Sequence, residues 1–559
     1  MNVATIGSPY VTLLRLRTAT NGNIVRVFVN EAGRLRIRSD VTGQQIGTTV
    51  RIGTGWHRLD LCGLVGNPGT WSLARDGVPL VTDWSVNTGT TPVGRIEIGD
   101  PLRRTFTISF DDVIVVDTGP VPPPVRPNVL IFLTDDQRAT DTITAAVMPR
   151  LRAWVQQAGT RFTNFFSTTP LCCPDRSVLL SGRYAHNTEV RVNADTSNLD
   201  HALSMERLLQ QAGYRTAYVG KFLNGWQNAT SPPYFSDRAL VAGGYADRWF
   251  NIDGVARKVP YTTDFIGQQT VTYLDRFEED DAQPWMLIAA TTAPHHPWEP
   301  AAVHASDDVG TWAGNPATQE SDRTDKPSWV RARNYTLSQA DAVRAPQLRT
   351  LRSVDDMVDV VMTRLQALGE LSNTLVIYTS DNGYLWSEHR IGGDYGVAAQ
   401  KRYPYDASVR IPFLMRWDGR VAAGATDQRL AGMVDVVPTV LAAAGVTPDY
   451  PLDGYPLRAD RLRTRIVLEY WIDPGDPSIP TWVSIRTQDL MYVEYYNASG
   501  EVTFREYYDL VNDPWELVNL LNDGVLSDPD TSYLQEQAIA GARCSGNSLM
   551  SPAPINPCP

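Results

Sequence analysis

Four unbroken apolar stretches, each ending in polar residues, constrain the fold most tightly. They read NVLIFLTDD from Asn128, RTAYVGKF from Arg215, WMLIAATTAP from Trp285 and TLVIYTSDNG from Thr374. A strand with one wet face alternates apolar and polar residues, whereas a strand covered on both faces can be apolar throughout. Between these stretches lie three helix-like segments, MPRLRAWVQQAG, SMERLLQQAG and SVDDMVDVVMTRLQALGEL. The alternation predicts an α/β domain whose largely parallel sheet is flanked by helices. Ligands of such sheets bind beyond the carboxyl ends of the strands. Two of those ends carry Asp135 and Asp136, and Asp381 and Asn382.

The regions on either side read differently. Residues 1–118 hold short alternating runs such as NIVRVFVN, RLRIRS and GRIEIG, separated by turn residues about every ten positions. This spacing predicts an all-β sandwich and resembles a laminin-G or concanavalin-like jelly roll, as a spacer or a carbohydrate-binding module. The chain starts almost within a strand pattern, so a truncated N-terminus is expected. GPVPPPVRP, residues 119–127, reads as a stiff proline-rich linker. The α/β domain is expected over 128–460. RIVLEYW, WVSIRT, LMYVEYY and VTFREYYDL predict a small antiparallel subdomain over 461–540, and a tail occupies 541–559.

The formal net charge of -12 argues against a nucleic-acid partner but not against a small anionic substrate, because local charge decides that. No apolar run is long enough for a membrane span. The opening MNVATIGSPYVTLLRLR lacks the apolar core of a signal peptide. Cys544 and Cys558 bracket a loop-rich tail and read as a disulfide, which favours an oxidising compartment.

The remaining cysteines raise the sharper question. Cys172 and Cys173 are adjacent in LCCPDRSVLLSGR. Adjacent cysteines lack the C-x-x-C spacing of a redox pair, and no histidine lies nearby at zinc-site spacing. A nucleophile at the start of a helix remains, where the positive end of the helix dipole would act on it. The strand-end carboxylates and amide are hard oxygen ligands suited to Ca²⁺ or Mg²⁺, although acidic residues also start turns and cap helices.

CCPDRSVLLSG resembles the sulfatase-family pattern C-x-P-[SA]-R-x-x-L-x-[TS]-G, with Asp175 in place of the usual serine or alanine. LTDDQ, YVGKFLN, APHHPW, YTSDNG, KRYPYDASVRIPFL and YYDLVNDPWELVNL follow in family order, from about Asn128 to Leu521. The resemblance implies an alkaline-phosphatase-like fold and conversion of Cys172 to formylglycine by a formylglycine-generating enzyme. It implies Ca²⁺, with Mg²⁺ as the alternative, held by Asp135, Asp136, Asp381, Asn382 and the converted Cys172. The hydrated aldehyde would attack sulfate with one hydroxyl and use the other to expel it. Arg176 would hold that hydrate, Lys221 and Lys401 would contact sulfate, and His295 would stand near the leaving oxygen.

Many family members carry a histidine two residues after the first lysine. Leu223 stands there in this chain and Asn224 follows, so the base for sulfate release is absent or supplied elsewhere. GKFLN looks more like the N-acetylglucosamine-6-sulfatase branch. The reading is therefore hydrolysis of an O-sulfate ester on a carbohydrate, with Lys221, Asn224, His295 and Lys401 binding substrate. His186 and His389 fit surface or structural roles at least as well as pocket roles. Family habit and the tail disulfide point to export. Two alternatives stand beside this reading. One is a phosphonate monoester or phosphodiester hydrolase with the same aldehyde and metal site. The other is a carbohydrate-binding protein whose hydrolase-like domain is inactive.

Overall fold

The structure is a computed structural model describing residues 2–6, 10–53, 55–100, 106–109, 126–226, 232–392, 400–457, 463–548 and 554–559. The proline-rich stretch 119–127 lies outside the described residues except for its last two. The chain divides into two compact units, Met1–Pro124 and Val125–Pro559.

The first unit is antiparallel β structure. Strands β1 (Tyr10–Arg17), β2 (Asn23–Asn30), β3 (Arg34–Ser39), β4 (Gln45–Arg51) and β5 (Arg95–Ile98) form one sheet in the order β4-β3-β2-β1-β5. Leu59–Leu64, Gly69–Arg75 and Val78–Val86 form a second sheet, and Asn2–Ile6 pairs with Phe106–Ser109. Alternation decides the faces. Val25, Val27, Leu35 and Ile37 point into a buried cluster with Trp71 and Leu73 of the second sheet. Every second residue between them points the other way.

The second unit is built on a ten-stranded sheet. At its centre four parallel strands, β6 (Asn128–Thr134), β7 (Arg215–Lys221), β8 (Trp285–Ala290) and β9 (Thr374–Ser380), lie in the order β7-β8-β6-β9. These are the four apolar runs, and all seven residues of β6 are buried. Val129, Ile131 and Leu133 enter one core with helix α1 (Cys172–Ser181), while Leu130 and Phe132 enter another with α2 (Thr262–Phe277) and α3 (Leu337–Leu368). Two covered faces explain why these strands show no alternation.

Helix α3 starts at Leu337, well before the SVDDMVDVVMTRLQALGEL segment that suggests a helix in the sequence. Pro346 lies inside it and hides its first half, because proline lacks the amide that a helix interior uses. A capping box between Thr336 and Gln339 fixes the true start. MPRLRAWVQQAG becomes a short helix, Pro149–Leu151, running into a wider-wound turn over Arg152–Gln156. A four-stranded antiparallel sheet follows from Ile466 to Asp509, and Cys544 is joined to Cys558 near the C-terminus. No helix among the described residues is long and apolar enough to cross a membrane.

Candidate active site

The carboxyl ends of the central strands converge. β6 delivers Asp135 and Asp136, β9 delivers Asp381 and Asn382, β7 ends on Lys221, and the segment after β8 supplies His295. Helix α1 opens with Cys172, so its first turn faces the same point. No side chain of Leu171 caps this helix; instead Asn193 Oδ1 accepts the Cys173 amide at 3.0 Å. Adjacent helical residues point about 100° apart, and this separates the two cysteines. Cys172 turns to the acidic strand ends, whereas Cys173 joins the apolar core and its sulfur accepts the Asn224 amide at 3.4 Å.

The site is a buried lattice of opposite charges. Arg176 donates from Nε to Asp381 at 2.7 Å and from Nη2 to Asp135 at 3.1 Å. Lys221 donates to Asp135. Lys401 donates to Asp136 at 2.5 Å and to Cys172 Sγ at 3.0 Å. Cys172 Sγ lies 3.4 Å from Asp135 Oδ1. Three cations thus face three carboxylates, so a dication and an anionic substrate can enter together at low net charge.

These neighbours fix the protonation states. Burial raises the Asp135 carboxyl, but the charge of Lys221, with His295 and Arg176, outweighs it and holds the group far below the usual range. Burial pushes Asp381 up to about 6, and the Asp135 charge adds to it. Burial, then Asp135, drives the Cys172 thiol far up despite Lys221 and Lys401. Burial and the charge of Lys221 hold His295 below the ordinary imidazole value. Its Nδ1 donates to the His296 carbonyl at 2.7 Å, which leaves Nε2 facing the site, 3.8 Å from Asp136 Oδ2.

Asp135, Asp136, Cys172 and His295 each present an atom within 4.8 Å of the others, close enough to share an ion. A second observation favours a metal. Asn382 donates from Nδ2 to Asp136 Oδ1 at 2.7 Å and to the Gly383 carbonyl at 2.8 Å, while its Oδ1 is buried with no hydrogen-bond partner among the described residues. An unpaired buried amide oxygen beside carboxylates is a vacant hard ligand.

Tyr245 had no signal in the sequence, whereas Tyr218, Asp175 and Asn224 lie inside the sequence motifs but take roles the motifs do not state. Tyr245 donates to the His295 carbonyl at 2.5 Å, and Tyr218 donates to the Lys221 carbonyl at 2.8 Å. Asp175 accepts the Thr168 amide at 3.0 Å and the Thr169 amide at 3.3 Å, so it clamps the loop that leads into α1. Asn224 is exposed, and its amide, not its side chain, ties it to the cysteine turn.

His186 and His389 serve elsewhere. His389 is buried, with Nδ1 2.8 Å from Glu320. His186 Nδ1 donates to Glu469 at 2.7 Å and Nε2 to the Cys544 carbonyl at 2.8 Å, so both nitrogens carry hydrogen and the ring is an imidazolium. Burial alone would lower it, but the charge of Glu469 raises it to about 9. The folded value lies above the unfolded one, so this stabilisation is complete below about pH 6.5 and is lost as pH rises through about 9. The loss should reach about 3 kcal/mol. Urea unfolding of the parent and of His186→Gln at pH 6.5 and pH 10 checks it, and the variant should show a flatter pH dependence.

The family model described as Sulfatase matches residues 127–446, and one described as N-sulphoglucosamine sulphohydrolase, C-terminal, matches 393–537. A Sulf-1 homolog of Caenorhabditis elegans is 34% identical over 352 residues, 58% of this chain and 48% of that protein. The chain therefore spans about half the length of that relative. Human N-acetylglucosamine-6-sulfatase is 26% identical over 498 residues, 76% of this chain and 87% of that one. A solved structure in complex with its substrate D-glucosamine-2-N,6-O-disulfate has the same fold, with a TM-score of 0.64 at 22% identity, covering 74% of this chain and 96% of that one.

Proposed function

We propose that this chain, which belongs to the sulfatase family, hydrolyses the O-sulfate ester of a sulfated carbohydrate. The carrying observation is Cys172 at the head of a buried helix, 3.4 Å from Asp135 and 3.0 Å from Lys401, with Lys401 and Asn382 both bonded to Asp136. We assign residues 128–460 to catalysis and 461–540 to a supporting subdomain. The N-terminal antiparallel unit is read as a laminin-G-like module.

Asp135, Asp136, Asp381, Asn382 and the converted Cys172 would hold Ca²⁺, which supplies charge for a sulfate oxygen and lowers the pKa of a bound hydroxyl. Formylglycine at position 172, made by a formylglycine-generating enzyme, gives two hydroxyls on one carbon, one to attack and one to drive release. Arg176 fixes Asp135 and Asp381 relative to the head of α1. Lys221 and Lys401 set positive charge where the sulfate oxygens gather negative charge. His295 Nε2 faces the same space and, with the ring hydrogen on Nδ1, is placed to accept a proton and pass it to the leaving alcohol. Asn224 would contact the sugar from the rim. The tail disulfide fits an exported, extracytoplasmic protein.

Relatives named N-acetylglucosamine-6-sulfatase support a 6-O-sulfated N-acetylhexosamine as the substrate. Aldehyde-bearing chain should release sulfate from N-acetylglucosamine-6-sulfate with a kcat/KM at least about a hundredfold above that for an aryl phosphonate ester. Equal or inverted values would sink the sulfatase reading.

Ion binding has its own readout. Calcium at a hundred times its Kd should add about 2.7 kcal/mol of stability, seen as a higher unfolding midpoint that EDTA reverses. Asn382→Ala should shrink that increment. No calcium-dependent shift in the parent would exclude the metal assignment.

A further inference from the structure

The N-terminal unit carries a feature that the catalytic reading leaves unused. On the five-stranded sheet, Leu35 and Ile37 of β3 face the core, so Arg34, Arg36 and Arg38 face away from it. Register places Arg26 of β2 opposite Arg38, and Arg15 of β1 opposite Arg26. Arg17 follows on the same face of β1, because Leu14 and Leu16 pack against the core. Six arginines thus share one face with two carboxylates, Asp40 and Glu97.

Those carboxylates are already shared. Asp40 lies 3.3 Å from Arg15, 3.2 Å from Arg26 and 3.5 Å from Arg38, and Glu97 lies 3.2 Å from Arg15 and 2.9 Å from Arg17. Arg34 and Arg36 make no side-chain ion pair among the described residues. The Nε–H groups of Arg15, Arg26 and Arg38 all converge on Asp40, so one carboxylate is divided among three guanidiniums. Arg15 and Arg26 are mostly covered, whereas Arg34 is exposed and Arg36 half-buried. Gly47, opposite Arg36, keeps the surface flat: a Cβ there would come within 2.6 Å of the Arg36 guanidinium.

We infer that this arginine face binds a sulfated polysaccharide chain. Guanidinium groups pair with sulfate oxygens through charge-assisted, often bidentate bonds. At strand and residue spacings the face measures roughly 14 Å by 10 Å, which suits a polymer carrying several sulfates better than one small anion. The patch opposes the chain's net charge of -12, so any polyanion it holds is recognised locally. The choice of a sulfated glycan over other polyanions rests on the proposed catalytic function.

The test uses the full chain with calcium present and measures binding to dextran sulfate, neutral dextran and duplex DNA at 50 and 300 mM NaCl. Dextran sulfate should bind in a salt-sensitive way and neutral dextran should not. Arg34→Ser with Arg36→Ser removes two charges that no described carboxylate neutralises and should weaken dextran sulfate binding about tenfold, with kcat on a monosaccharide sulfate unchanged and the urea midpoint preserved. Undiminished binding by the variant overturns the inference. DNA binding as tight as dextran sulfate at equal salt overturns the sulfated-glycan assignment. Arginine-dependent dextran sulfate binding in a chain that hydrolyses no sulfate ester upholds the inference while the proposed function falls.

Discussion

Chain in which Cys172 remains a thiol is expected to hydrolyse sulfate esters at least about a thousandfold more slowly than chain carrying the aldehyde. The reason lies in the surroundings of the sulfur. Cys172 is 2% exposed, and burial with the adjacent Asp135 keeps it protonated, although Lys401 reaches it at 3.0 Å. A protonated, soft sulfur is a poor nucleophile toward sulfate. Cys172→Ser restores a hard oxygen but lacks the second hydroxyl that would expel sulfate, so it should stall after a single turnover. The mass of the tryptic peptide Phe162–Arg176 reports conversion, through loss of sulfur and two hydrogens and gain of oxygen. Equal turnover by unconverted chain would remove formylglycine from the mechanism.

Arg176→Met is expected to destabilise the second unit by about 3–5 kcal/mol, because removing one partner of a buried charge network leaves the others uncompensated. Arg176 is 2% exposed and bridges Asp381 at 2.7 Å and Asp135 at 3.1 Å. Asp381, already raised to about 6 by burial and Asp135, would lose its nearest counter-charge. The loss should be larger in EDTA than in calcium, since a dication on the same carboxylates replaces part of the missing charge. Urea midpoints of parent and variant in both buffers check this. A variant as stable as the parent would show that the network carries no net stabilisation.

Much of this architecture is legible in the sequence because burial on both faces leaves a local mark. The four central strands are apolar throughout, and their ends bear the polar residues that meet at the site. The full length of α3 is not legible, because Pro346 breaks the pattern while tertiary packing overrides it. The same holds for Tyr245 and Asn193, whose roles come from partners 50 and 20 residues away and from no motif of their own.

The sequence by itself determined which residues could do chemistry. It marked three carboxylates and one amide at two strand ends, one cysteine of an adjacent pair in a helix-opening motif, two lysines and a histidine. Only the tertiary structure decided that Cys172 faces the acidic strand ends while Cys173 enters the core, that Asn382 Oδ1 has no hydrogen-bond partner among the described residues, and that the arginines of three strands share one face. Apolar periodicity is a local property that a chain displays along its length. Charge pairing across a sheet depends on register and strand order, which are set by contacts between residues far apart in sequence.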